Sequence, residues 1–286
     1  MDPKMIDLHD DYQHGIIDRR EFLLKLSLLA GSAAAANLLL PLLEFNPAGA
    51  QMIAKDDPRL QTGIIEYPGS TGPVRASLAR PKGSARLPGL IVIHENRGLN
   101  PHIEDVTRRL AVEGYLAIAP DALSSQGGTP ADSDLARTMI RKLDPQATLN
   151  NYLSAVNYLK THPQATGKVG VVGFCWGGAM ANQLAVHSED VSAVVPYYGR
   201  QPEAKDVSKI KASLLLHYAG IDERVNKGIA AYQDALKAAA VDYRLYMYEA
   251  ARHAFNNDTN PARYDKAAAQ LAWKRTVDFF NEKLKL

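Results

Sequence analysis

One stretch constrains this chain more than any other: Lys168-Val169-Gly170-Val171-Val172-Gly173-Phe174-Cys175-Trp176-Gly177-Gly178. Its apolar β-formers predict a short buried strand, and Ala179-Met180-Ala181-Asn182-Gln183-Leu184-Ala185 continues as a helix. Between them Gly-Phe-Cys-Trp-Gly-Gly turns the chain sharply. A G-x-C-x-G turn between strand and helix is the setting a nucleophile elbow requires. The turn is cramped, and glycine on both flanks lets strand and helix approach that closely. Cys175 is also the only cysteine in the chain. A lone cysteine in apolar surroundings is ordinarily an inert core residue. Here it becomes a candidate nucleophile, on condition that an acid and a histidine follow in the right order.

The flanking pattern supplies the fold. Gly63 to Tyr67 and Val74 to Arg80 read as a hairpin joined by Pro-Gly-Ser-Thr-Gly-Pro. Leu90-Ile91-Val92-Ile93-His94 and Tyr115 to Ala119 are apolar runs of the kind buried on both faces of a sheet. Helical spacing appears at Ile103 to Glu113, near 131–142 and at 147–161. Past the elbow come strands at Val191 to Tyr197, Ala212 to His217 and Tyr243 to Tyr248. Helices at Lys227 to Ala239 and Ala262 to Lys283 accompany them. This alternation predicts an α/β fold, a mostly parallel twisted sheet with helices on both faces. No linker divides residues 55–286, so 51–286 read as one domain. The chain is 46% hydrophobic and 22% charged, enough for a sizeable core. A formal charge of +2 gives no argument for nucleic acid or a membrane surface.

In such a sheet ligands bind at the carboxyl ends of the strands. The polar residues there are His94-Glu95-Asn96-Arg97, Asp121, Cys175, Tyr198-Gly199-Arg200, Asp222 and His253. Alone, Asp222 reads equally as a turn or cap aspartate, and His253 as a satisfied histidine. Together, each past its own strand, they give the order nucleophile, acid, histidine found on α/β-hydrolase sheets. The chemistry needs all three. A thiol attacks as thiolate, an imidazole generates or stabilises it, and a carboxylate holds the imidazole tautomer. The oxyanion donors expected from geometry are the backbone N–H groups of Trp176 and Asn96. His102, His162, His187 and His217 read as structural. His94 with His102 lacks the spacing of a metal site.

The sequence resembles the dienelactone hydrolase family of α/β-hydrolases. The matching elements are His94-Glu95-Asn96-Arg97-Gly98-Leu99, Ala119-Pro120-Asp121, Gly173-Phe174-Cys175-Trp176-Gly177-Gly178, Tyr197-Tyr198-Gly199, Gly220-Ile221-Asp222 and His253-Ala254-Phe255. The resemblance implies a Cys175–Asp222–His253 triad. It also implies that Glu95 contacts the cysteine and helps deprotonate it when substrate arrives. Members acting on dienelactone hold its carboxylate with two arginines, and the matching positions here are Ser125 and Asn257. The expected activity is therefore hydrolysis of a small ester, lactone or thioester other than dienelactone, with no metal or organic cofactor. Arg97, Arg200 or Arg252 could serve an anionic substrate from another direction, and Tyr198 is a further candidate contact; solvated surface arginines are the plain alternative. The competing readings are a non-catalytic scaffold that kept the elbow and another thiol chemistry, such as a cysteine peptidase.

Residues 1–50 read separately. Asp18-Arg19-Arg20-Glu21-Phe22-Leu23-Leu24-Lys25 resembles a twin-arginine export signal. Leu26 to Leu43 carries no charge, and Asn46-Pro47-Ala48-Gly49-Ala50-Gln51 has an A-x-A cleavage pattern. Asp7, Asp10 and Asp11 make the lead-in acidic. The resemblance implies a periplasmic protein. An uncleaved membrane anchor, the chain's only membrane contact, and a helix over Tyr12 to Leu29 packed on the domain are the alternatives. These residues are expected to stay outside catalysis. Changing Arg19 and Arg20 to lysine is expected to abolish export, measured by fractionating cells that express the chain.

Overall fold

The β-rich runs fold as one eight-stranded sheet whose central strands present apolar side chains alternately to two helical layers. The computed structural model describes residues 1–43 and 51–285. In chain order they form α1 (Pro3–His14), α2 (Arg19–Ala30), α3 (Ala33–Leu43), β1 (Leu60–Gly69), β2 (Gly72–Pro81), β3 (Leu87–Ile93), α4 (Pro101–Val112), β4 (Leu116–Pro120), α5 (Ser133–Arg141), α6 (Pro145–Thr161), β5 (Ala165–Phe174) and α7 (Trp176–His187). There follow β6 (Val191–Tyr197), β7 (Ser213–Ile221), α8 (Glu223–Asn226), α9 (Ile229–Ala238), β8 (Tyr243–Arg252) and α10 (Lys266–Leu284).

The sheet order is β1-β2-β4-β3-β5-β6-β7-β8. β1–β2 and β2–β4 pair antiparallel and the other pairs are parallel, as the hairpin-then-alternation pattern predicts. In β3, Ile91 and Ile93 join the layer of α5, α6, α7 and α9, while Leu90 and Val92 join that of α4 and α10. Ridges such as Phe279 and Phe280 of α10 close the second layer. Parallel pairing from β4 to β8 aims the ends of β3, β5, β7 and β8 at one edge. That edge receives Glu95, Cys175, Asp222 and His253.

The N-terminal helices form a small core of their own around Phe22 and Leu26, with Tyr12 stacked on Phe22 at 4.8 Å between centroids. The helix expected across Tyr12 to Leu29 is two helices, because Gly15 adopts the left-handed conformation and ends α1. The uncharged run Leu26 to Leu43 is likewise interrupted at Gly31, and α2 and α3 meet at a 111° bend. Among the described residues no single helix is long and apolar enough to cross a membrane, though this bent pair passes that test of length and composition. The A-x-A pattern falls largely outside the described residues. Arg19 pairs with Asp134 of α5, whereas Arg20 is exposed.

Truncating Phe280, which is fully buried between α10 and the sheet, is expected to leave a cavity. Phe280→Ala should lower unfolding stability by about 3–5 kcal/mol, read from urea denaturation.

Candidate active site

Cys175 occupies the turn between β5 and α7 with φ 55° and ψ −112°, a backbone conformation that costs a non-glycine residue roughly 1–3 kcal/mol. The turn is held because its neighbours leave no other course. A Cβ on Gly173 would lie 2.0 Å from the Gly177 carbonyl oxygen, and one on Gly177 would lie 2.4 Å from the His94 carbonyl oxygen. The Cys175 N–H donates to the Tyr197 carbonyl at 3.0 Å, tying the turn to β6. Trp176 is the first residue of α7, so its amide belongs to the helix N-terminus, where partial positive charge gathers.

Asp222 directly follows β7 and does two jobs. Its Oδ1 accepts from the Val225 N–H at 3.2 Å and caps α8, and its Oδ2 accepts from Nδ1 of His253 at 2.5 Å. The two readings open for this aspartate in the sequence, cap and triad acid, are thus both occupied. Burial opposes its charge, but the bond from His253 outweighs that and holds its pKa below the usual carboxylate range. That bond leaves Nε2 for chemistry. Nε2 is buried and has no hydrogen bond of regular geometry. The Cys175 sulfur and ring nitrogens of His253 and His14 all lie within 4.8 Å of one another. Burial alone would lower the His253 pKa. The negative charge of a Cys175 thiolate and the bond to Asp222 outweigh it, and the pKa is pushed up to about 10. The protonated form of His253 is therefore favoured beside Cys175.

Glu95 lines the same cleft as Cys175 and His253. Its Oε2 accepts from Nδ2 of Asn257 at 2.7 Å, and its Oε1 is buried without a hydrogen-bond partner. The amide of Asn257 is fixed in turn, since its Oδ1 accepts from the Thr259 N–H at 3.1 Å and the Thr259 hydroxyl at 2.5 Å. Asn257 thus holds Glu95, a role its sequence position gave no sign of. The loop carrying Asn257 is anchored to α4 by Asp258, which lies 2.9 Å from His102 and pairs with Arg109. His94 fixes the other side: its Nδ1 donates to the Glu95 carbonyl at 2.6 Å, its Nε2 accepts from the Ala122 N–H at 3.2 Å, and its ring stacks on Trp176. Asp121 organises the next loop by accepting from the Leu123 and Thr129 N–H groups and the Thr129 hydroxyl.

The remaining expected residues divide between two clefts that share Cys175, His253 and Asn96. Arg97 lines the one with Glu95; Trp176, Tyr198 and Arg200 line the other. Tyr198 has φ 38°, and burial, followed by the charges of Glu95 and Cys175, holds its phenol protonated well above the usual pH. Arg252 instead pairs with Asp7 of α1. Ser125 is exposed after β4.

The expectation that residues 1–50 stay outside the site is corrected by the structure. Gln13 and His14 of α1 line both clefts. Arginines that the motif reading passed over, Arg141, Arg224 and Arg263, line them as well. The available signal was the acidic lead-in: Asp7 pairs with Arg252 and Asp10 with Arg263. Among the described residues His14, Cys175 and His253 are a group with metal-ligand chemistry. Nδ1 of His14 is nevertheless committed to the Asp10 carbonyl and its Nε2 to Arg224, each at 2.9 Å. The guanidinium opposes a cation there.

The sequence model of the Dienelactone hydrolase family matches residues 74–284, and one described as YqhI-like matches residues 1–31. A Salmonella typhi protein with the provisional name carboxymethylenebutenolidase is 31% identical over 88% of this chain and 95% of its own length. A Methylorubrum extorquens protein with the same provisional name is 32% identical over 84% of this chain and 88% of its own length. The crystal structure of a provisionally named dienelactone hydrolase from Klebsiella pneumoniae superposes with a TM-score of 0.71 at 28% identity. It covers 78% of this chain and 99% of its own.

Removing the sulfur removes the charge that raises the His253 pKa. In Cys175→Ala the titration midpoint of His253, followed by NMR of the ring protons, is expected to fall from about 10 toward the ordinary histidine value.

Proposed function

Because this chain belongs to the dienelactone hydrolase family, and so is a carboxylic-ester hydrolase of that kind, we propose that it cleaves a small ester, lactone or thioester through Cys175, His253 and Asp222. The observation that carries this reading is one arrangement. Cys175 sits on a strained elbow at a helix N-terminus and shares a cleft with a histidine whose other nitrogen is bound to Asp222.

The steps follow from that arrangement. The Cys175 thiolate attacks the carbonyl carbon, and the developing oxyanion is met by the backbone N–H groups of Trp176 and Asn96. Donors of this kind are typically worth about 3–4 kcal/mol each. His253, as imidazolium, gives its proton to the departing alkoxide, enolate or thiolate, leaving a thioester on Cys175. The neutral imidazole then takes a proton from water, whose oxygen attacks the thioester and releases the carboxylic acid. Asp222 orients the ring throughout and offsets its charge.

Glu95 modulates the thiol. Support for this role is a buried carboxylate anchored through one oxygen by Asn257 while the other has no partner, in the same cleft as Cys175. Tyr198 and Arg200 meet the substrate from the larger cleft, and Arg97 lines the smaller one beside Glu95. Dienelactone itself is a poor fit, since Ser125 is exposed and uncharged, and Asn257 is engaged with Glu95 and Thr259. Arrival in the periplasm by the twin-arginine route, with residues 1–50 retained, is a separate proposal, supported by the order of motif and uncharged run.

A panel of p-nitrophenyl esters, lactones and thioesters tests the hydrolase reading. Cys175→Ala should lower kcat/KM on every turned-over substrate by at least about 10³-fold, and Asp222→Asn by about 10³–10⁴-fold. Wild-type turnover no faster than Cys175→Ala across the panel would instead favour a non-catalytic scaffold. Glu95→Gln should change the pH–rate profile with the fold intact by circular dichroism.

A further inference from the structure

The helix that the motif reading set aside is the part of the site least explained by acyl transfer. The C-terminal end of α1 borders the cleft, and the helix is tied down from Asp7 onward. Asp7 and Asp10 pair with Arg252 and Arg263. Arg137 donates to the Tyr12 carbonyl at 3.0 Å and stacks on its ring, 3.9 Å from the centroid. The last carbonyl of consequence, that of Gln13, accepts from Nδ2 of Asn96 at 3.1 Å and from Arg141 at 3.4 Å. Cations and amide donors thus meet the negative end of the helix. Asn96 belongs to the loop that carries an expected oxyanion donor, so the helix end and that loop are locked together.

At the tip, the His14 ring packs edge-on against His253 with centroids 4.8 Å apart. Both of its nitrogens are satisfied, by the Asp10 carbonyl and by Arg224. Burial, reinforced by the positive charges of His253, Arg224 and Arg263, lowers its pKa to about 2, so it stays neutral. A neutral, doubly bonded ring beside the reacting histidine is a wall rather than a proton carrier. It helps divide the space around Cys175 unequally. The cleft on the Glu95 side holds about 30 Å³ and the one on the Trp176 side about 230 Å³. The first corresponds to about one water, whereas a cavity of about 150 Å³ suffices for benzene. The Klebsiella structure is covered almost completely by 78% of this chain, so about a fifth of this chain has no counterpart there.

We propose that α1 is a working wall of the catalytic cleft and that His14, with Gln13, sets the size of substrate that reaches Cys175. The proposal deepens the hydrolase reading, but its test does not depend on turnover, because Cys175 is the only thiol in the chain. The admitted molecule is one about the size of a substituted ring or a short acyl ester. Cleavage after Ala50 would remove the wall and widen what the cleft accepts.

The experiment compares alkylation of Cys175 by iodoacetamide and by fluorescein maleimide in the full chain. The variants are His14→Ala, which trims the wall in place, and the double variant Asp7→Asn with Asp10→Asn, which cuts two anchors. The bulky-to-small rate ratio is expected to rise about tenfold or more in each, with amide exchange across α1 faster in the double variant. Wild-type and His14→Ala ratios within about twofold of each other overturn the proposal, given iodoacetamide rates that show the thiol still reachable. Loss of ester turnover with the size dependence retained counts against the hydrolase reading and leaves the wall standing.

Discussion

The close approach of β5 and α7 is the constraint on which the rest of the site depends. Gly173 and Gly177 leave their Cβ positions to neighbouring carbonyls, and Cys175 between them takes a positive φ that an unsupported cysteine would not hold. The sheet supplies the support. β3 and β6 flank β5 in parallel, and the Cys175 N–H is bonded to the end of β6. Strain at this one residue is thus stabilised by the apolar layers that bury the central strands.

From that point the site is assembled by short polar links between loops rather than by the core. Asp222 joins the cap of α8 to the ring of His253. Asn257 joins the loop after β8 to Glu95 on the loop after β3, and Asp258 ties the same loop to α4. His94 bonds that β3 loop to itself and to Ala122. Each link is buried, where an unmatched polar atom is costly, so the exceptions carry meaning. Among the unpartnered atoms, Glu95 Oε1, Tyr198 Oη and His253 Nε2 belong to residues lining the clefts around Cys175.

The arginines tell a different story from the one expected of the family resemblance. Instead of the two positions at Ser125 and Asn257, cations enter from α5, from the segment after β7 and from the loop before α10. Arg137, Arg141, Arg224 and Arg263 among them are engaged by α1, as is Arg252 at the end of β8. Positive charge near the cleft here is thus partly spent on holding a protein helix, and what remains for substrate is correspondingly rearranged.

The sequence by itself determined the family, the mostly parallel character of the sheet and the identity of the residues at the strand ends. These rest on local rules: apolar runs, a glycine-flanked turn, and one polar residue past each strand. Gly173-Phe174-Cys175-Trp176-Gly177 states its geometry in five letters because only one backbone path satisfies it. What the tertiary structure alone decided is everything that depends on partners distant in the chain. Asn257 became the holder of Glu95 across 162 positions and Arg252 the partner of Asp7 across 245. An uncharged stretch after twin arginines has the same letters whether it is exported, embedded or packed. The docking of α1 on the elbow followed from ion pairs and carbonyl caps that no local pattern records.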